Sequence, residues 1–439
     1  MSVARPETAG SETAEAAPEN LWHNQDFLKF WAGETLSLFG TQVTNLALPL
    51  TAVLIFKASA QAVGLLKFLQ LAPYLFLALI FGVLVDRGRR KPIMLAANLV
   101  RMLLIALVPV LAHYHHLSIT GLLVISCAVG IFSVLFDVSW MAFVPALVRD
   151  AKHYVEANQK LGVTQSSADV AGPGLAGVLV GWLTAPTALI VDSASYLISI
   201  VSLLWIRTPE PPPPGSADRR LIAELRDGVR WVYGDRILRP LALVAPFTNF
   251  SMMSVWTLFL LYGVRTRGLS PATVGLIFSV SSLGALFGAM ISRRLIRRYR
   301  VGLLYGISLS SIFAAPLLIP FATGPRPVLI GMFILSFVIS YLGLGVAGVV
   351  MISLRQIRTP QSLMGRMNAA FRTVLYGGGS LGSLCAGLLG GALGPRAALA
   401  IIAVGSACMV IGIAVSPVTR LAELPEPITD PVEPQPSTR

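Results

Sequence analysis

The chain has 439 residues, of which 55% are hydrophobic and only 13% charged, with a mean hydropathy of +0.73 and a formal net charge of +13. That balance excludes a soluble globular protein of this length and puts the chain in a lipid bilayer. The excess of cations, which in a soluble protein would suggest a nucleic-acid partner, reads here as membrane topology, and no nucleic acid is expected.

A helical span needs roughly 20 mostly apolar residues to cross about 30 Å of hydrocarbon. Runs of that kind are predicted at 28–55, 61–85, 93–112, 118–143, 161–183 and 187–206, and again at 241–262, 272–291, 301–322, 327–353, 366–391 and 394–416. The expected fold is therefore an all-α membrane protein of twelve transmembrane helices in two six-helix, pseudo-symmetric bundles, 26–207 and 240–416. The connections that alternate to one side carry most of the Lys and Arg, and those on the other side hold only Lys57, Arg265, Arg267, Arg326 and Arg396. By the positive-inside rule both termini are cytoplasmic, in a multi-pass protein of the cell membrane. Residues 1–25 lack the pattern of a cleavable signal peptide and read as a disordered cytoplasmic tail, as does the Pro-rich segment 417–439.

The only long break, 208–239, runs through Pro211–Pro214 into a stretch of helical periodicity. There Leu221, Ile222, Leu225, Val229 and Val232 share one face, and Arg219, Arg220, Arg226 and Arg230 occupy the rest. This is the pattern of an amphipathic helix lying on the inner leaflet. The two sides of the break echo each other: Ala62-Val63-Gly64-Leu65-Leu66 resembles Thr273-Val274-Gly275-Leu276-Ile277. Each is followed by an FG pair and a knot of cations. In the first copy Phe81 and Gly82 lead to Asp86, Arg87, Arg89, Arg90 and Lys91; in the second Phe287 and Gly288 lead to Arg293, Arg294, Arg297 and Arg298, with Ser292 where the acid stood.

The first of these knots, Gly82 to Pro92, resembles the loop-two motif of the major facilitator superfamily, G-x-L-x-D-R-x-G-R-R, with Gly88 one position early. Similarity to the branch of enterobactin and macrolide exporters extends over residues 30–50, 136–148, 172–180, 191–199 and 353–368. Asp86 at the end of span two can face the N-terminal dipole of a helix from the other half. The resemblance names span eleven as that helix, whose start carries Arg366 and Arg372. Arg90 is placed to reach back to Asp137, extending a cytoplasmic gate made of Gly82, Asp86, Arg87, Arg90, Asp137 and Arg372. Ala168 to Gly177 resembles the antiporter motif of span five, with Gly172, Pro173 and Gly177 forming a helix-bend element that favours export.

Charges inside apolar spans are costly enough to require a role. Asp169, roughly 12 Å deep at 1.5 Å per residue, is the first candidate for a proton carrier and Glu34 the second; a packing Asp bonded to nearby hydroxyls is the alternative for Asp169. Asp192 reads as structural. Arg101, which cannot lose its charge, needs a partner, and Asp137 and Glu34 both compete for it. Cys127, Cys385 and Cys408 are isolated packing residues, and His113, His115 and His116 lack acidic or thiol companions, so no metal is expected. The glycines of span eleven form a packing face, and with no GxxxxGK[ST] anywhere the chain needs no nucleotide or other cofactor.

By the same resemblance the substrate cavity borders spans one, four, seven and ten. Its candidates are Gln42, Asn45, Phe132, Phe136, Asn249, Met252, Trp256, Phe337 and Tyr341, a lining suited to a bulky amphipathic compound. The sequence thus implies a monomeric secondary transporter, not an enzyme, that exports an amphipathic small molecule such as a drug or macrolide in exchange for protons. A dedicated siderophore or secondary-metabolite exporter is the alternative, followed by a membrane sensor that transports nothing.

Overall fold

The computed structural model describes residues 21–148, 151–210, 221–360 and 363–425, and among them the regular structure is helical, with no strand. The tails expected at 1–25 and 417–439 fall largely outside the described residues, as do Pro211–Pro214, Arg219 and Arg220. The first half comprises α1 (Gln25–Leu54), α2 (Ala60–Phe76), α3 (Ala78–Arg87), α4 (Arg90–His113), α5 (Ile119–Leu147), α6 (Ala151–Leu183) and α7 (Ala185–Trp205). Then come α8 (Leu221–Gly234), α9 (Leu238–Leu261) with a π turn to Thr266, α10 (Pro271–Arg298), α11 (Val301–Ala314), α12 (Leu318–Phe321), α13 (Arg326–Ile357), α14 (Met364–Leu393) and α15 (Pro395–Ala414). Serine caps fix three of the starts: Ser59, Ser118 and Ser270 each accept from the backbone N–H three residues on, satisfying a donor the helix leaves free.

Ten helices among the described residues are long and apolar enough to cross a membrane. The expected spans 61–85 and 161–183 are not among them, for different reasons. Pro73 and a break at Leu77 divide the first into α2 and α3. The second lies inside the 33-residue α6, which starts at Ala151 and stays largely polar as far as Asp169. The second cation knot also differs from the first. Arg293 to Arg298 end α10 as helix, where cations complement the C-terminal dipole, whereas the first knot breaks at Gly88 between α3 and α4.

Both ends of the described chain lie at one charged end of the molecule. Asp26 at the start of α1 accepts from the Thr208 N–H (2.8 Å) beyond α7, and Lys91 Nζ donates to the Ile206 carbonyl (2.7 Å). Gly302 at the start of α11 donates to Leu421 (2.9 Å). The amphipathic α8 is at this end too. Its buried Val232 faces α9 and α14, and Asp227 pairs with Arg366 at 3.7 Å.

The apolar core is divided at the charged end and continuous at the other. One cluster around Phe27, Phe30 and Phe143 belongs to α1–α7, and a separate one around Phe313, Leu354 and Phe371 to α8–α15. Away from the charged end a single cluster joins Leu46, Val63 and Tyr196 to Phe259, Phe278 and Phe333. There α2 lies along α14 and α6 along α10. Both crossings are glycine on glycine. A methyl on Gly64 would stand 2.5 Å from Gly387 Cα, and one on Gly177 would stand 3.0 Å from Gly275 Cα. Gly64 and Gly275 are the glycines of the echoed sequence, so each copy of the repeat supplies one face of one crossing. The turns after α6 and α14 match as well. Thr184 has φ 87°, ψ 156° and Gly394 has φ 82°, ψ 156°, the left-handed region that costs a β-branched residue and suits glycine.

Asp235, between α8 and α9, ties the second half together at the charged end. Its Oδ2 accepts from Arg358 Nε (3.1 Å) and Nη2 (2.5 Å), and its Oδ1 from the N–H groups of Ile237 (2.7 Å) and Leu238 (2.8 Å). Burial alone would raise this carboxyl, but Arg358 and the two backbone donors outweigh it and hold the group below its ordinary value.

Two predictions follow from packing and charge. Overpacking typically costs about 1–3 kcal/mol, so Gly387→Val lowers the unfolding temperature of detergent-purified protein by several degrees, whereas Gly405→Val, with open space beside it, leaves it unchanged; equal melting of the two contradicts the crossing. Asp235 has a depressed folded-state pKa, so its stabilisation is present above the unfolded value of about 3.9 and is lost as pH falls through the folded value. Between pH 5 and pH 3 the wild type should therefore lose melting temperature faster than Asp235→Asn, and parallel curves would rule out the linkage.

Candidate functional site

A cavity of about 370 Å³ opens where the continuous core ends, on the charged-end side of the two glycine crossings. On α6 and α10 the chain passes from close contact at Gly177 and Gly275 to walls formed by Ser166 and Asp169 on one side and by Ala285 and Ala289 on the other. Helices α1, α2, α6, α9, α10 and α13 contribute the lining, and α5 contributes none of it among the described residues.

Four of the expected cavity residues, Gln42, Asn45, Trp256 and Tyr341, line this space, together with Asp169 and Pro173. Asp169 is exposed to it and accepts from Gln42 Nε2 (2.6 Å) and Gln165 Nε2 (3.0 Å). Gly172 makes that bond feasible, because a side chain there would collide with Gln42. The small residues of the span-five motif thus have separate places: Gly172 makes room for Gln42, Pro173 lines the cavity, and Gly177 forms the crossing. The other cavity candidates lie elsewhere. Met252 and Phe337 line a small neighbouring pocket of about 20 Å³, Asn249 donates to the Leu375 carbonyl (2.7 Å), and Phe132 packs into the first-half core.

Phe136 lies beneath Arg101. The guanidinium is sandwiched between the Phe136 and Tyr196 rings, 4.3 and 4.4 Å from their centroids, and donates to the Asn98 side chain. Neither expected acid forms an ion pair with it among the described residues. Glu34 is buried nearby with Oε2 lacking a hydrogen-bond partner, and lies outside the cavity lining. Asp192 is fully buried and accepts from Thr44 and from Ser195 (3.1 Å), which joins α1 to α7.

The gate residues are only partly brought together. Asp137 accepts from Tyr74 Oη (2.7 Å) and lies 3.9 Å from Arg372 Nη2, while Tyr74 and Tyr376 stack at 4.3 Å. Arg90, expected to reach Asp137, instead keeps its Nε buried without a partner. Gly82 faces open space and Arg87 is exposed. The Asp86 side chain lies outside the described residues.

Sequence reasoning missed Lys67, Met253 and Phe278, all of which line the cavity. Lys67 was visible as the one cation in the apolar run from Ala62 to Phe81, which is by itself a signal of a functional position. Met253 and Phe278 carry no such mark, because nothing in an apolar span distinguishes a cavity-facing residue from a lipid-facing one.

A desolvated cation over an aromatic face is worth about 2 kcal/mol, and a planar guanidinium stacks where an ammonium does not. Arg101→Lys keeps a charge near the rings and loses the planar contact, so it should melt below the wild type and above Arg101→Ala. A lysine variant as stable as the wild type would show that charge alone suffices there.

Comparison with known proteins points in one direction. A sequence model of the Major Facilitator Superfamily matches residues 30–383. The chain is 24% identical over 403 residues to the multidrug efflux pump Tap of Mycolicibacterium fortuitum, covering 88% of this chain and 93% of that protein. It is 25% identical over 331 residues to the enterobactin exporter EntS of Citrobacter koseri, covering 74% and 76%. Among solved structures, a bacterial homologue of the human lysosomal transporter Spinster, inward-facing and unoccupied, has a TM-score of 0.67 at 17% identity, covering 90% of this chain and 95% of that one. The nucleoside transporter NupG has a TM-score of 0.71 at 10% identity, covering 89% and 99%. These two likenesses bear on the fold alone.

Proposed function

Because this chain belongs to the Major Facilitator Superfamily, we propose that it is a proton-coupled exporter of an amphipathic small molecule, working by alternating access of two six-span halves. It is a multi-pass membrane transporter and not an enzyme. The observation that carries the finer reading is the cavity itself. It is walled by Trp256, Phe278 and Tyr341, large enough for a small organic molecule, and holds a carboxyl, Asp169, exposed to its interior. Aromatic walls with a few convergent polar groups suit an amphipathic cargo. A carboxyl between the two halves can exchange a proton with whichever side the cavity faces.

In this reading α2 and α3 form one bent span and α6 forms another, giving twelve. The charged end, with its cations and both chain ends, is cytoplasmic. The cavity lies on the side of the glycine crossings toward that end, so the crossings shut it off from the outside. Outward opening must part Gly64 from Gly387 and Gly177 from Gly275 and bring the divided cores together. The Asp137, Arg372, Tyr74 and Tyr376 cluster, in contact across the two halves, serves as the inner gate, and inward opening must part it. Relatedness to Tap favours a broad drug-like cargo, and relatedness to EntS favours the second reading, a dedicated exporter of a siderophore or other secreted metabolite.

The test is uptake of ethidium, an amphipathic cation, and 1-anilinonaphthalene-8-sulfonate, an amphipathic anion, into inverted membrane vesicles under an imposed proton gradient. Wild type accumulates at least one of them and loses accumulation when the gradient is collapsed. Asp169→Asn lowers gradient-driven uptake tenfold or more, with Glu34→Gln run alongside as the second carrier candidate. Accumulation indifferent to the gradient refutes antiport, and wild-type uptake by both variants refutes the carrier assignments.

A further inference from the structure

The cavity carries a cation that the proton-exchange reading leaves without a task. Lys67, on α2, is 7% exposed and lines the cavity. Its ammonium donates to Gln70 Oε1 (2.9 Å) and Asn45 Oδ1 (3.3 Å), and lies 5.1 Å from the centroid of the Trp256 ring. Both acceptors are neutral amides, and no ion pair involves Lys67 among the described residues. An ammonium has three N–H donors, so one remains for the cavity.

The obvious partner would be Asp169, the carboxyl of the same cavity, but the two are held apart. Gln42 and Asn45 stand three positions apart on α1, and therefore on one face of it. Gln42 donates to Asp169, and Asn45 accepts from Lys67. Neighbouring amides on one helix thus each serve a different charge, so that acid and ammonium occupy one cavity without neutralising each other. A lysine kept only to balance Asp169 would sit against it. An ammonium cradled by amide oxygens and an indole face, with a donor to spare, has the chemistry of a site awaiting an anion.

We propose that Lys67, positioned by Asn45 and Gln70, is the recognition point for an anionic head group on the cargo, and that Trp256 receives the aromatic or apolar body attached to it. This deepens the exporter reading and rests on it. The cargo class becomes an amphipathic organic anion, such as an aromatic carboxylate, in place of a drug of unspecified charge. Asp169 remains available for the proton while the anion is bound, because the two groups have separate amide partners.

The test uses protein in phosphatidylcholine nanodiscs and three probes of one shape, 2-naphthoate, 2-naphthamide and 2-naphthylmethylammonium, with affinities read by calorimetry. Wild type should bind the carboxylate at least tenfold more tightly than the amide and the ammonium. Lys67→Gln should erase that preference, and Lys67→Arg should retain it in part. The preference is a ratio within each variant, so reduced folded fraction does not mimic its loss, and the arginine variant provides the reading if the glutamine variant fails to fold. Trp256→Leu should weaken carboxylate and amide alike. A carboxylate bound no more tightly than the amide, or a preference unchanged in Lys67→Gln, overturns the proposal. Binding needs no gradient, so a failure of proton antiport in vesicles leaves this result standing. Gradient-driven uptake without a carboxylate preference would in turn remove the anion site and keep the exporter.

Discussion

Everything about the central cavity depends on two places where helix backbones touch. In a bilayer, lipid tails are as apolar as the side chains they surround, so helices gain little from hiding leucine and associate through close packing and hydrogen bonds instead. Glycine permits that closeness, and here it is used twice, with Gly64 against Gly387 and Gly177 against Gly275. These contacts pull α2 onto α14 and α6 onto α10 at the end away from the charges. Toward the other end the core splits in two, although α2 and α14 still touch there through the Tyr74–Tyr376 stack. The cavity is the space left at the fork. Its polar groups suit its position, where mid-span side chains face neither lipid nor a packed neighbour.

The cavity's chemistry depends on how charge is handled in a place that disfavours it. Four charged groups deep in the first half are met by something other than a simple opposite charge. Arg101 lies between two aromatic rings with an amide, Asp192 is enclosed by hydroxyls, and Asp169 and Lys67 have separate amides. A buried pair that neutralised itself would be electrically silent to cargo and proton alike. Charges solvated by neutral dipoles are stable enough to be present and still able to respond to whatever enters. Asp137, shared between Tyr74 and Arg372, is the exception, and it lies toward the gate.

Ten of the twelve expected spans and the place of Asp169 in the cavity wall were legible in the sequence because each depends on a one-dimensional signal: an apolar run, an acid at mid-depth. Gln42, Asn45, Trp256 and Tyr341 were found among the lining residues as well. What failed was rotational phase. A run such as Ile119 to Phe136 is apolar all round, so nothing in it says which residues turn inward. Phe136 therefore went to Arg101, and α5 gave the cavity nothing. The partners of Arg101 were missed for a related reason. Phe136 on α5 and Tyr196 on α7 become its neighbours only through packing, whereas Asn98, three positions before it on α4, follows from helix periodicity. The break at Leu77 and the early start of α6 similarly reflect tertiary contacts, which let a proline bend one span and let polar residues extend another.

The turns at Thr184 and Gly394 give the duplication a further meaning. The two halves hold one backbone conformation at equivalent places, yet one half fills it with the residue that adopts it freely and the other with a β-branched residue that does so at a cost of about 1–3 kcal/mol. A chain whose sequence echoes itself carries its own standard of comparison. Wherever the copies agree in shape and differ in residue, the better-suited copy marks the change its counterpart can accept, and such a list of stabilising substitutions can be drawn from one molecule without any relatives.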